Sequence, residues 1–141
     1  KKEDIEKFII QEYAMVASDG AGYAPTDASE KDLPHPRSFG AFPKVFTDFV
    51  RGKKLLSWED AVYKMSGLPA SVLGLKDRGI LEKGAIADLV IFDPENIKDK
   101  ATYENPFKFA EGMEWVIVNG RPVIEKGAFT GALNGKIIKK S

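Results

Sequence analysis

Apolar and polar positions along this chain follow two different periods, and the change between them falls near Lys76. Before it the spacing is mostly helical. Ile5, Phe8 and Ile9, with Tyr13 beyond, share one helical face behind an acidic first turn, which predicts a helix over residues 3–12. Tyr13-Ala14-Met15-Val16-Ala17 is a short unbroken apolar run, predicting a buried strand that leaves abruptly at Ser18-Asp19-Gly20. A helix feeding a buried strand is one α/β unit. Pro43 is placed to open a further helix, with Val45, Phe46, Phe49 and Val50 as its apolar face and Gly52 as its end. In the next, Ser57 is a good N-cap, Asp60 stands where a capping-box acid would, and Val62 and Met65 form the stripe up to Gly67. Pro69 opens a last short turn through Val72 and Leu73.

Beyond Lys76 the period shortens to that of strands. Gly79 and Gly84 bracket Ile80-Leu81, and Ala87 to Phe92 follows. Within it Leu89 to Phe92 is an unbroken apolar run held between Asp88 and Asp93-Pro94, the pattern of a strand buried on both faces. Asn119-Gly120 joins residues 114–118 to residues 121–125 and predicts a tight hairpin, with Pro122 at an edge or with its ring side facing outward. Asn134-Gly135 precedes one more short strand, residues 136–139.

Two irregular stretches interrupt this order. The polar connection from Asp93 to Phe109 is one; the other, Gly20 to Phe42, has the length of loops that carry function. At 141 residues the chain holds one good core, or a small domain with a further piece. A complete eight-stranded (β/α)8 barrel needs roughly 200 residues or more. Lys+Arg and Asp+Glu are equal at 21 each, so no net field favours nucleic acid or an anionic membrane. The absence of Cys excludes disulfides and thiolate metal ligands and fits a reducing compartment. No apolar run approaches the roughly 18 residues of a membrane span. Lys1-Lys2-Glu3-Asp4 has no signal-peptide core behind it, so the expected location is cytoplasmic.

Asp19 is the first candidate for chemistry: a carboxylate leaving the end of a buried parallel strand sits where barrel enzymes place catalytic groups. Ser18-Asp19-Gly20 is equally a sequence that makes turns for their own sake. His35, the single histidine, lies in Pro34-His35-Pro36-Arg37, a setting that suits a structural or exposed residue. Gly20-Ala21-Gly22 lacks the third glycine of a dinucleotide fingerprint. Trp58 and Trp115 suit the core, and Lys136, Lys139 and Lys140 a solvated end. A hydrolytic zinc site needs three or so protein ligands, and one His with no Cys cannot build it.

Specific segments carry a resemblance. Ser18-Asp19-Gly20, His35-Pro36-Arg37, Phe42-Pro43, Asp77-Arg78-Gly79, Ala87-Asp88-Leu89-Val90-Ile91-Phe92-Asp93-Pro94, Asp99-Lys100-Ala101-Thr102 and Val118-Asn119-Gly120 closely resemble the C-terminal part of the D-aminoacylase (N-acyl-D-amino-acid deacylase) family of the amidohydrolase superfamily. That resemblance implies an α+β chain: residues 1–76 as the end of a (β/α)8 barrel (last strand, active-site loop and helices), and residues 77–141 as a small β-sandwich-like domain serving as scaffold. It implies a parent enzyme that uses Zn2+ to hydrolyse the amide of N-acyl-D-amino acids, and an inactive fragment that binds no metal alone. Asp19 matches the residue that adjoins or ligates the metal and shuttles the proton. Arg37 matches a partner for the substrate carboxylate, with His35 beside it, because a guanidinium holds a carboxylate by two parallel hydrogen bonds. Arg37 has an alternative in pairing with a local acid, Asp27 or Asp32. Two other classes stay open: a non-catalytic β-rich interaction module prone to self-association, and another amidohydrolase branch such as a cyclic amidase or dipeptidase.

Overall fold

The computed structural model describes residues 2–23 and 33–138. Among them α1 (Lys2–Ile9), α2 (Arg37–Val45), a π-helical turn (Phe46–Gly52), α3 (Trp58–Met65) and α4 (Gly67–Leu73) precede β1 (Leu89–Phe92), β2 (Met113–Val118), β3 (Arg121–Glu125) and β4 (Ala128–Phe129). The strands form one antiparallel sheet in the order β1-β2-β3-β4. Helices followed by a small antiparallel sheet is the α+β order that the two periods predict.

Local signals with their own chemistry hold. The Ser57 hydroxyl accepts the Asp60 N–H at 3.0 Å and caps α3. Asn119 and Gly120 both take positive φ, +49° and +78°, as the type I′ hairpin turn between β2 and β3 requires. Pro122 lies opposite Ile117 beside a bulge, while β4 pairs only with Ile124 and Glu125, so no ladder bond from Pro122 is missed.

Other expectations are corrected. The helix expected from Pro43 begins at Arg37: Pro36, with φ −53° and ψ −23°, already sets the helical backbone. Pro43 falls inside α2, which runs on into the π-helical turn, where the Lys53 N–H reaches the Asp48 carbonyl at 2.9 Å. On α3 the buried side carries Ala61, Lys64 and Met65, while Val62 is 43% exposed. A lysine reads as solvent-facing in a pattern, yet the Lys64 ammonium donates to the Gln11 and Ala14 carbonyls at the exit of α1. Helix α1 stops at Ile9, and Ile5 and Phe8 face an open groove while Ile9 packs on the core.

The buried strand expected at Tyr13 to Ala17 does not form: Tyr13 belongs to a turn, residues 14–17 have no regular structure, and Tyr13 and Met15 are exposed. The Val16 N–H donates to the Lys64 carbonyl at 3.1 Å, whereas a buried strand needs chain on both sides. Leu89 to Phe92 is a strand, but it is the sheet's edge, and Val90 and Ile91, on opposite faces, are each about half exposed. Ile80-Leu81 forms no strand, with Leu81 in solvent. Residues 136–138 form none either, and Lys139 lies outside the described residues, as does Lys140.

The core lies where helices meet sheet. Val45, Phe46, Val50, Leu56, Ala61 and Ile97 are buried together, with Trp58, Phe92 and Met113 packed on them. Phe46 stacks on Phe92 of β1 at 4.8 Å, and Trp58 tilts against both, at 5.2 and 5.8 Å. Arg51 fastens the same seam: its guanidinium donates to the carbonyls of Pro94 at 2.8 Å, Glu95 at 2.6 Å and Ile97. No helix among the described residues is long and apolar enough to cross a membrane. Phe46→Ala should cost about 3–5 kcal/mol, because the ring leaves a cavity its partners cannot close. Urea unfolding measures this; a loss below about 1 kcal/mol would show that the aromatic seam does not hold the halves.

Candidate active site

The site is built from three segments distant in sequence. Residues 14–18 lead to Asp19, whose φ of +48° turns the chain sharply, and the Ser18 hydroxyl accepts the Gly20 N–H at 3.2 Å. Gly20 then lies directly against α2: a Cβ there would stand 2.7 Å from the Ser38 Cα. That close approach sets Asp19 beside Arg37, the first residue of α2, with Oδ2 and Nη2 3.1 Å apart. Asp19 is 84% and Arg37 46% exposed at the side chain, so the pair is open to a solute. The sequence singles out both residues but not their mutual contact. Asp27 and Asp32, the local acids considered for Arg37, lie outside the described residues.

His35 stands one turn back. Its Nδ1 accepts the Arg37 backbone N–H at 3.1 Å, and its Nε2 meets the Tyr103 hydroxyl at 3.0 Å. The two rings pack edge to face at 5.1 Å. Tyr103 is the residue that sequence reading misses. Its only signal is position, immediately after Asp99-Lys100-Ala101-Thr102, one of the segments that carry the resemblance.

A cavity of about 290 Å³ opens between residues 35–44 and residues 99–104, lined among others by His35, Arg37, Lys44, Asp99, Thr102 and Tyr103. Lys44 lies 3.1 Å from Asp48 and 3.7 Å from Asp99. Burial pulls its ammonium down, but the hydrogen bond to Asp48 and the charge of Asp99 outweigh this and hold it above the ordinary lysine range. Asp99 also accepts the Thr47 hydroxyl at 3.2 Å.

These residues do not fit a metal on their own. No cluster of three His, Cys, Asp or Glu side chains occurs among the described residues, and both nitrogens of His35 are engaged within the chain. Asp19 could supply one carboxylate to an ion held mainly elsewhere. What the arrangement can do is accept a proton at Asp19 and hold an anion at Arg37, whose five N–H donors exceed what one carboxylate takes up. Gly20→Ala should force the Asp19 turn off Ser38 and part the ion pair. A crystal structure of the variant checks it: separation beyond 4 Å is expected, and an unmoved pair would mean that the close approach does not set the geometry.

Comparison with known proteins fits this arrangement. The model of the amidohydrolase family matches residues 23–124. D-aminoacylase of Alcaligenes xylosoxydans xylosoxydans is 41% identical over 138 residues, covering 98% of this chain and 27% of that protein. A crystal structure of D-aminoacylase superposes with a TM-score of 0.82 at 39% identity, over 94% of this chain and 26% of that one. N-acyl-D-glutamate deacylase from Bordetella bronchiseptica, solved with zinc and a phosphonate that mimics the tetrahedral intermediate, gives a TM-score of 0.77 at 39% identity, over 87% of this chain and 24% of that one. The chain thus spans about a quarter of the length of these relatives. It belongs to the amidohydrolase family, in the D-aminoacylase branch.

Proposed function

We propose that the enzyme to which this chain belongs hydrolyses the amide bond of N-acyl-D-amino acids, and that this chain supplies its proton-transfer carboxylate and its substrate clamp. The observation that carries this reading is the 3.1 Å approach of Arg37 to Asp19. Amide hydrolysis needs a group that takes a proton from the attacking water and returns one to the departing amine, and Asp19 is the carboxylate for both transfers. The substrate also bears a free carboxylate, which Arg37 would hold by two parallel hydrogen bonds while keeping Asp19 near the scissile bond.

Residues 1–76 are then the end of a (β/α)8 barrel, with Tyr13 to Ala17 as its last strand, and the sheet of residues 77–141 is part of a small β-sandwich-like domain. The zinc seen in the Bordetella relative would be held by residues outside this chain, with Asp19 adjoining it. The open apolar groove of about 580 Å³ lined by Ile5, Phe8, Ile9 and Met15 is assigned to the remaining length that the relatives possess; an isolated chain would bury it by self-association. A cytoplasmic location accords with the absence of Cys.

In the full-length enzyme Asp19→Asn should lower turnover by about 10²-fold or more with the melting temperature unchanged. Arg37→Met should raise KM about tenfold to a hundredfold for substrates with a free carboxylate. Steady-state kinetics on N-acyl-D-amino acids measures both, and full activity of the Asp19→Asn enzyme would refute the assignment.

A further inference from the structure

We propose that Tyr103 and His35 form a positioning pair that fixes Arg37, so that the β-containing half of the chain takes part in substrate recognition. This rests on the reading of Arg37 as the carboxylate clamp. Arg37 opens α2, where backbone N–H groups have no intrahelical partner. Pro36, at the cap position, offers no side-chain acceptor, and the His35 ring takes that part through Nδ1. An Nδ1 that accepts a hydrogen bond carries no proton, so the proton is on Nε2 and is donated to the Tyr103 oxygen 3.0 Å away. Both faces of the imidazole's hydrogen-bonding capacity are thereby used inside the chain. His35 acts on substrate through Arg37 and does not contact it.

Tyr103 is itself held. Thr102 and Asn105 close a tight turn around it, the Thr102 N–H donating to the Asn105 carbonyl at 3.2 Å and the Asn105 N–H to the Thr102 hydroxyl at 3.0 Å. Four residues earlier Asp99 grips α2 directly. It lies against Gly40, where a Cβ would come within 3.2 Å of the Asp99 Cβ, and it binds Lys44 and Thr47 one and two turns further on. Residues 99–105 therefore run along α2 as a strap, and Tyr103 is its contact nearest the first turn. A guanidinium on a long flexible stem loses rotamer freedom when it binds an anion, and a backbone already fixed at Arg37 adds no further ordering cost.

The test uses the full-length enzyme and two substrates, an N-acyl-D-amino acid and its carboxamide, which lacks the charged group. Tyr103→Phe keeps the exposed ring and removes only the hydroxyl, so folding is not at issue. Tyr103→Phe, which loses one neutral hydrogen bond, should raise KM for the acid about threefold to tenfold with kcat nearly unchanged, and His35→Ala, which loses two, should raise it at least as much. KM for the carboxamide should not move. The double variant should be no worse than His35→Ala alone, and His35→Asn, which restores an acceptor, should recover part of the loss. Equal effects on both substrates, additive effects, or no effect would overturn the proposal. Arg37→Lys separates the two levels. If it leaves KM for the acid unchanged, the clamp reading falls and takes this inference with it; if it raises KM while Tyr103→Phe and His35→Ala do not, the inference alone falls.

Discussion

The stacking of Phe46 on Phe92, with Trp58 against both, is the contact on which the rest of this structure depends. It joins the π-helical turn that extends α2 to the edge strand of the sheet. Most of the sheet's side chains are only partly covered, and the main cluster of buried residues lies at this seam. Arg51 completes it by donating to the carbonyls of Pro94 and Glu95 at the surface and of the buried Ile97. Because α2 runs straight into that seam, the position of its first residue, Arg37, follows from packing at its far end.

The candidate site exploits this rigidity. A left-handed turn at Asp19, a close approach at Gly20 and a helix start at Arg37 converge on one ion pair, and none of the three is strong alone. Among the described residues it holds no cluster that could ligate a metal. In the proposed reading it contributes a proton acceptor at Asp19 and an anion clamp at Arg37, two functions an amide hydrolase needs beside its electrophile.

Much of this was legible in the sequence wherever neighbours within three residues decide the outcome. The Ser57 cap and the Asn119-Gly120 turn are of that kind, as is the strand at Leu89 to Phe92. Pro43 misleads because a proline fits a helix start yet stands here inside α2; Pro36-Arg37 held the true start. Val62 and Lys64 exchange their expected sides because the pattern counts lysine as polar, whereas its ammonium meets the Gln11 and Ala14 carbonyls of the turn that follows α1. Asp19 and Arg37 were visible through resemblance. Tyr103 was not, because its contact with His35 spans 68 residues and nothing local announces it.

The most direct test of the account is the reaction of the full-length enzyme itself. Incubated with zinc and matched N-acetyl-D-amino acids, N-acetyl-L-amino acids and a cyclic amide, it should release free D-amino acid, measured by chiral chromatography. Ring opening of the cyclic amide with no release from the linear substrates would contradict the deacylase reading and move the chain to another branch of its family.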